Sequence, residues 1–306
     1  MTADRHPTLD VFEALLTGGP ILLSGGFGTE LQRRGVDTRL PLWAAAALLD
    51  GPSAVRQLHV EYLQAGASVL TANTFRTDPH AVTASGREVD HVTLTGIAVR
   101  LARAAVEAAG PGRSVLVAGS VGPVRDCYRP RDVPSDAVLH DEHGAHVEAL
   151  AEAGVDLVLV ETMNTVREAV TALELARDRL PAMVSFACAE GGRLLSGESI
   201  AEAVEAVVPF DPLAILVNCC PPALATEGLE QLLRATDRPT GVYANGAGCP
   251  EDRLGWRFQG GTTDAGYVAA AREWLRRGAR LVGGCCGTSP ETIRALRDLL
   301  SARTST

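Results

Sequence analysis

Two short strings carry the reactive side chains of this 306-residue chain: Val217-Asn218-Cys219-Cys220 and Gly283-Gly284-Cys285-Cys286-Gly287-Thr288. Each follows an apolar run that reads as a buried strand, Leu213 to Val217 and Arg280 to Val282. Parallel α/β folds build active sites at strand ends, so both strings deliver thiols to a reactive rim. Cys219, Cys285 and Cys286 could together hold one soft metal ion. Three thiolates suit Zn2+ and leave its fourth position open. Such a centre carries a charge of about −1 before any substrate arrives, which makes it a poor activator of water. It is better suited to taking up a thiol as thiolate, since a free thiol, pKa near ~8.5, is mostly protonated at neutral pH. The pattern therefore predicts alkyl transfer to sulfur over hydrolysis. Gly283, Gly284 and Gly287 would allow the sharp turn that aims two adjacent cysteines at one ion. One thiol from strand six completes a set of three and leaves Cys220 a bystander. Cys127, Cys188 and Cys249, taken singly, read as core filling.

The elements that must position these thiols recur regularly. Eight apolar runs appear at Pro20–Leu23, Ser68–Thr71, Ser114–Ala118, Asp156–Val160, Ala182–Phe186, Leu213–Val217, Thr240–Tyr243 and Arg280–Val282. Amphipathic stretches alternate with them, for example Leu94–Ala109 and Ala265–Arg276. Continuously apolar strands suggest a parallel sheet covered on both faces. Eight strand–helix repeats fit one (β/α)8 barrel, a single domain over residues 1–306. Gly25-Gly26-Phe27-Gly28 follows the first strand but lacks the third glycine of a dinucleotide-binding turn, Leu31 standing in its place. Three segments read as long loops: Phe75–Arg87, Gly122–Ser135 and Gly246–Thr263. Polar groups concentrate after the strands, as in Asn73-Thr74, Glu161-Thr162 and Asn245. That rim reads as the catalytic mouth. His140, His143 and His146 share one loose helical side, but the segment is expected at the opposite rim, as a solvated helix entrance.

Composition narrows the function. A formal charge of −9 without basic runs disfavours nucleic acid and anionic membranes. Apolar runs of five to eight residues are too short to span a bilayer, and residues 1–8 show no secretory leader. Seven cysteines, four of them in adjacent pairs, argue for reduced thiols in the cytoplasm. The expected partners are small molecules.

With the three cysteines located, the chain resembles the homocysteine S-methyltransferase family over roughly residues 12–300. The matching strings are Gly25-Gly26-Phe27-Gly28-Thr29-Glu30-Leu31, Arg34-Gly35, Pro41-Leu42-Trp43, His59 through Ala65-Gly66-Ala67, Asn73-Thr74-Phe75, Ala118 to Pro123, Ala153-Gly154-Val155-Asp156 through Glu161-Thr162, and the two cysteine strings. The resemblance implies a zinc-dependent (β/α)8 barrel that methylates homocysteine from a sulfonium donor, S-methylmethionine or S-adenosylmethionine, to give methionine. By position, Cys219, Cys285 and Cys286 are similar to the family's zinc ligands, and Asn245 to a temporary fourth ligand. Glu161 resembles the carboxylate that holds the amino group of homocysteine. The amides of Gly26 and Phe27 resemble its carboxylate cradle, and Trp43 an aromatic beside the substrate; Asn73 belongs to the same substrate-binding rim. Ser24 stands where the family usually has an aspartate that helps fix the ammonium, which bears on substrate identity. Val124–Ser135 departs from the longer family loop, and Tyr243-Ala244-Asn245 lacks the usual central proline. Alternatives from the residues are an S-methyltransferase for another thiol or selenol, and a non-catalytic thiol- or zinc-binding barrel.

Overall fold

The computed structural model describes residues 6–110, 112–251 and 255–304. Eight parallel strands form the centre: β1 (Ile21–Leu22), β2 (Val69–Thr71), β3 (Leu116–Val121), β4 (Leu157–Met163), β5 (Ala182–Ala189), β6 (Ile215–Asn218), β7 (Thr240–Tyr243) and β8 (Leu281–Val282). They pair in the order β1-β8-β7-β6-β5-β4-β3-β2. A parallel bridge between Leu23 and Val69 joins β1 back to β2 and closes the ring. The expected (β/α)8 barrel is the observed fold, and each expected strand falls on one of these eight.

The strands read as continuous apolar runs because both faces are buried, yet the period of two still sorts the side chains. Leu157 and Leu159 of β4 join an interior cluster with Ile21, Leu116, Met183, Leu216 and Leu281. Val158 and Val160 face the opposite way, into the layer shared with the surrounding helices. Extending the same alternation puts Ser120, Glu161, Ser185 and Tyr243 inward at the tops of four strands. The floor is closed by the helix Pro7–Thr17, whose Phe12 packs into the interior cluster and is 2% exposed. Thr8 Oγ1 donates to Asp156 O at 2.9 Å, and Arg280 Nη2 to Leu16 O at 2.6 Å, pinning that helix beneath the barrel.

Two of the three long loops contain regular structure. Phe75–Arg87 includes the helix Pro79–Ser85, started by Asp78 accepting from Ala81 N at 2.9 Å. Gly246–Thr263 holds an antiparallel hairpin of Ala247–Glu251 and Gly255–Gly261; residues 252–254 of that segment lie outside the described residues, as do residues 1–5 of the leader reading. Gly122–Ser135 is irregular apart from one 3-10 turn at Pro130–Asp132. Among the described residues, no helix is long and apolar enough to cross a membrane.

Phe12→Ala should empty the floor and lower stability by about 3–5 kcal/mol. Urea denaturation should show a lower midpoint with unchanged slope. A loss under 1 kcal/mol would mean that the helix does not plug the barrel.

Candidate active site

The two cysteine strings meet at the barrel mouth. Backbone alternation brings Cys285 inward after Leu281 and Gly283, and its N–H donates to Ala244 O at 2.9 Å. The turn beyond it is tied down on every side. Thr288 Oγ1 donates to Cys285 O at 2.7 Å, while Gly26 N donates to Thr288 Oγ1 at 3.0 Å. Gly287 N donates to Thr29 Oγ1 at 2.9 Å, and Gly246 N to Cys286 O at 2.8 Å. The backbones crowd here: a methyl group on Gly287 would lie 2.1 Å from Ala247 O, and one on Gly26 2.3 Å from Cys285 O. Gly287 also has a φ of 78°, a conformation glycine adopts freely. On the other side, Cys219 has a φ of 53°, rare for a residue with a Cβ. That kink breaks the alternation of β6.

The result is one cluster: the sulfurs of Cys219, Cys285 and Cys286 all lie within 4.8 Å of one another. Tetrahedral thiolate ligands at ~2.3 Å from zinc stand ~3.8 Å apart, so the separation fits a single ion. Without an ion the thiols resist ionisation. Cys219 is pushed well above the ordinary thiol range, first by its hydrogen bond with Cys285 and further by burial. Cys286 is raised likewise, first by its bond with Cys219. The bond to Cys219 opposes this for Cys285, but its contact with Cys286 and its burial leave it raised too. A buried polar atom supports the same use: Asn245 Oδ1 is without a hydrogen-bond partner, and Asn245 lines a second cavity together with Cys219. These residues fit a thiolate-bound divalent metal.

The main cavity, about 720 Å³, opens above the barrel and includes all three cysteines. Glu161 reaches into it from β4, 8% exposed. Its Oε1 accepts from Ser120 Oγ and its Oε2 from Tyr243 OH at 3.0 Å. Burial raises its pKa, against the opposing pull of those two donors. Among the described residues, no arginine pairs with it. Asn218 links the neighbouring strand ends. Its Oδ1 accepts from Thr162 N at 3.1 Å and from Ser185 Oγ at 2.8 Å, and its Nδ2 donates to Thr162 Oγ1 at 2.8 Å.

The remaining expected residues line the same cavity with more varied roles. Ser24 Oγ accepts from Thr71 N at 3.1 Å, and Asn73 Nδ2 donates to Ala44 O at 2.9 Å. Gly26 spends its amide on Thr288, so within the proposed cradle that donor is already taken. Phe27 starts the helix Phe27–Arg33, its ring 4.6 Å from that of His59. Trp43 is held between two glycines: a methyl on Gly28 or Gly255 would lie 2.1 Å or 1.8 Å from its ring.

Two expectations need correction, and one residue went unread. His143 and His146 are each 2% exposed, so they do not form a solvated entrance. Their helix, Asp136–Ala153, follows β3 and therefore begins at the mouth, where His146 Nε2 contacts Ser120 O at 3.1 Å and His143 Nε2 contacts Glu168 Oε1 at 3.2 Å. Cys249 is exposed on the hairpin and fills no core. Tyr128, unremarked in the sequence, places its OH 3.0 Å from Cys219 Sγ. Its position in an irregular loop offers no periodicity to reveal it, whereas Ser120 and Tyr243 follow from strand alternation.

A parallel barrel with a thiol cluster and a buried carboxylate at its mouth defines a class of enzymes that work on sulfur. The chain belongs to the homocysteine S-methyltransferase family: the family model of that description matches residues 21–300. It is 32% identical to a selenocysteine methyltransferase of Astragalus bisulcatus, over 93% of this chain and 94% of the relative. It is 30% identical to homocysteine S-methyltransferase 2 of Arabidopsis thaliana, over 94% and 95%. The solved homocysteine methyltransferase MmuM of Escherichia coli, in a metallated form, matches with a TM-score of 0.83 at 31% identity, over 94% of this chain and 99% of that one. The chain is thus a methyltransferase.

Because folding raises the Glu161 pKa, the carboxyl favours the folded state only when protonated, below its ordinary value of 4.5, and that favour is lost as pH rises through the folded value. Glu161→Gln should therefore raise the melting temperature of the substrate-free protein at neutral pH, with the gain shrinking in acid. Thermal melts across that range check it; a lower melting temperature at neutral pH would show that the carboxylate is already paired.

Proposed function

We propose that the enzyme transfers a methyl group from a sulfonium donor, S-methylmethionine or S-adenosylmethionine, to the thiol of L-homocysteine, with zinc as cofactor. The observation that carries this reading is one cavity holding three clustered sulfurs and one buried carboxylate that lacks a cation. Homocysteine is complementary to both, with a thiol at one end and an ammonium at the other. Cys219, Cys285 and Cys286 would hold the zinc, with Asn245 available beside them. Bound there, zinc would lower the pKa of an incoming thiol while leaving its sulfur nucleophilic. Glu161 would bind the ammonium, which supplies the missing positive charge and recovers part of the cost of a buried carboxylate. Ser120 and Tyr243 hold Glu161 in place, and free amides at the start of the helix Phe27–Arg33 would face the substrate carboxylate. Trp43, Ser24 and Asn73 would shape the wall around it.

The chemistry is one displacement. The acceptor's thiol proton passes to water, its sulfur forms a bond to the methyl carbon, and the donor's sulfur–methyl bond breaks with both electrons returning to the departing thioether. With S-methylmethionine, both products are methionine. Rate acceleration would come from a ready thiolate and from holding two substrates in line. The reduced thiols suit the cytoplasm.

A second reading has specific support, since relatives at 32% and 31% identity are named selenocysteine methyltransferases. Ser24, in place of a second carboxylate near the ammonium, fits an acceptor with a shorter or modified side chain. Methionine formation should be measured with zinc-loaded protein, each sulfonium donor and homocysteine, with selenocysteine run beside it. Cys285→Ser should lose both bound zinc and turnover; activity retained by metal-free protein would remove the mechanism. Ser24→Asp should lower the homocysteine KM by roughly 10-fold, the scale of one added charge-assisted hydrogen bond. An unchanged KM would show that residue 24 does not contribute to amine binding.

A further inference from the structure

The main cavity extends past the sulfurs and Glu161 to the loops that follow β2 and β3. Arg76 stands in the loop after β2, and Arg125 in the loop after β3, both half-buried and both lining the cavity. Around the ring these strands lie opposite β6, whose end carries Cys219. Arg76 Nη1 donates to Pro123 O at 3.1 Å and to Arg125 O at 2.9 Å, which fixes the second loop against the first. Arg125 Nη1 lies against the His80 ring, 2.7 Å from Nδ1 and in contact with Nε2. Two nearby carboxylates are already committed. Asp126 accepts from Tyr128 N at 2.8 Å and pairs with Arg129 at 3.4 Å, while Glu142 accepts from His80 N at 2.8 Å. Among the described residues, no ion pair gives Arg76 or Arg125 a carboxylate.

We propose that Arg76 and Arg125 bind the carboxylate of the methyl donor, so that the donor class is a sulfonium carrying its own carboxylate. This rests on the methyl-transfer reading above. Two guanidinium groups facing one cavity match a carboxylate in charge and in fork geometry. Reach agrees as well. Tyr128, on the same loop as Arg125, touches Cys219 Sγ, and three residues of chain span at most ~10 Å. A carboxylate on Arg125 would therefore leave a sulfonium a few bonds away near the thiols. In the proposed function Glu161, at the end of β4 inside the barrel, would hold the acceptor's ammonium, which places the carboxylate on the same carbon nearer the barrel than the loops that carry the arginines.

The test compares donors with and without the carboxylate. In the zinc-loaded enzyme, S-methylmethionine should bind more tightly than its methyl ester by calorimetry. Its kcat/KM should also exceed that of trimethylsulfonium. Arg125→Gln should cut kcat/KM for S-methylmethionine by about 10- to 100-fold, the range for a hydrogen bond to a charged group. It should leave both the trimethylsulfonium rate and the homocysteine KM unchanged, and Arg125→Lys should recover part of the loss. Equal losses for both donors would reduce Arg125 to a structural role and overturn the proposal. A raised homocysteine KM with an unchanged donor KM would do the same, by assigning the arginines to the acceptor. Equal wild-type affinity for the free acid and the ester also overturns it, whatever the variants do. If the calorimetric preference holds but no sulfonium supports turnover, the donor site stands and the methyl-transfer reading falls.

Discussion

Three thiols gathered within 4.8 Å at the end of a buried barrel form a site that a divalent cation completes. Ionising them together in that space without a cation means stacking like charges where water cannot screen them. The protein spends much of its mouth architecture on holding this arrangement anyway. Thr288, Thr29, Gly26, Gly246 and Ala244 all bond to the turn that carries Cys285 and Cys286, and the turn tolerates no side chain at Gly287. These bonds hold the backbone on both sides of the two cysteines, which places their Cα atoms where both sulfurs can reach one ion.

Backbone strain gathers at the same rim. Trp43, Thr162 and Cys219 have φ values of 51°, 62° and 53°, and for β-branched Thr162 such a value is a true outlier. Two of the three are fixed by their surroundings. Asn218 holds Thr162 through both its backbone and its hydroxyl, and Gly28 and Gly255 clear the space that Trp43 fills. Strain of this kind persists only where neighbours enforce it, and it concentrates where side chains must be aimed. One hydrogen-bond chain, Thr162–Asn218–Ser185–Tyr243–Glu161, ties the ends of β4, β5, β6 and β7 together. The carboxylate and the first cysteine thus share a single scaffold. A change at Asn218 would be felt at both.

Most of the barrel and the heart of the site were legible in the residues because they obey strong periodicities. Alternation in β4 forces Glu161 inward once Leu157 and Leu159 are inward, and glycines around Cys285-Cys286 announce a tight turn. The hairpin at Ala247–Gly261 escaped because its strands are glycine-rich and largely exposed, so they lack the apolar alternation that marks a strand. The histidines were misplaced for a geometric reason. A crossover helix runs antiparallel to its strands, so the helix after β3 starts at the mouth with an exposed first turn and buries His143 and His146 in the turns that follow. Its weak amphipathicity hid which residues point inward. Tyr128 and the two unpaired arginines sit on irregular or short segments, where residue type alone says nothing about what is near.

The distribution of charge in the cavity matches the pair of molecules proposed to occupy it. In the proposed reaction each amino acid would carry opposite charges on one carbon, so a site with a single sign of charge would bind one end and repel the other. Glu161 lies deep, where burial strengthens its attraction for an ammonium but makes it costly when empty. Arg76 and Arg125 are half-buried on the loops beyond the strands, where backbone carbonyls and His80 take some of their donors and partial exposure lowers the cost of lacking a carboxylate. In the proposed reaction the costly inner charge would be neutralised by the acceptor's ammonium, whereas Asp126, Asp132 and Glu251 stand with the arginines on the loops that line the cavity and keep that region mixed in sign.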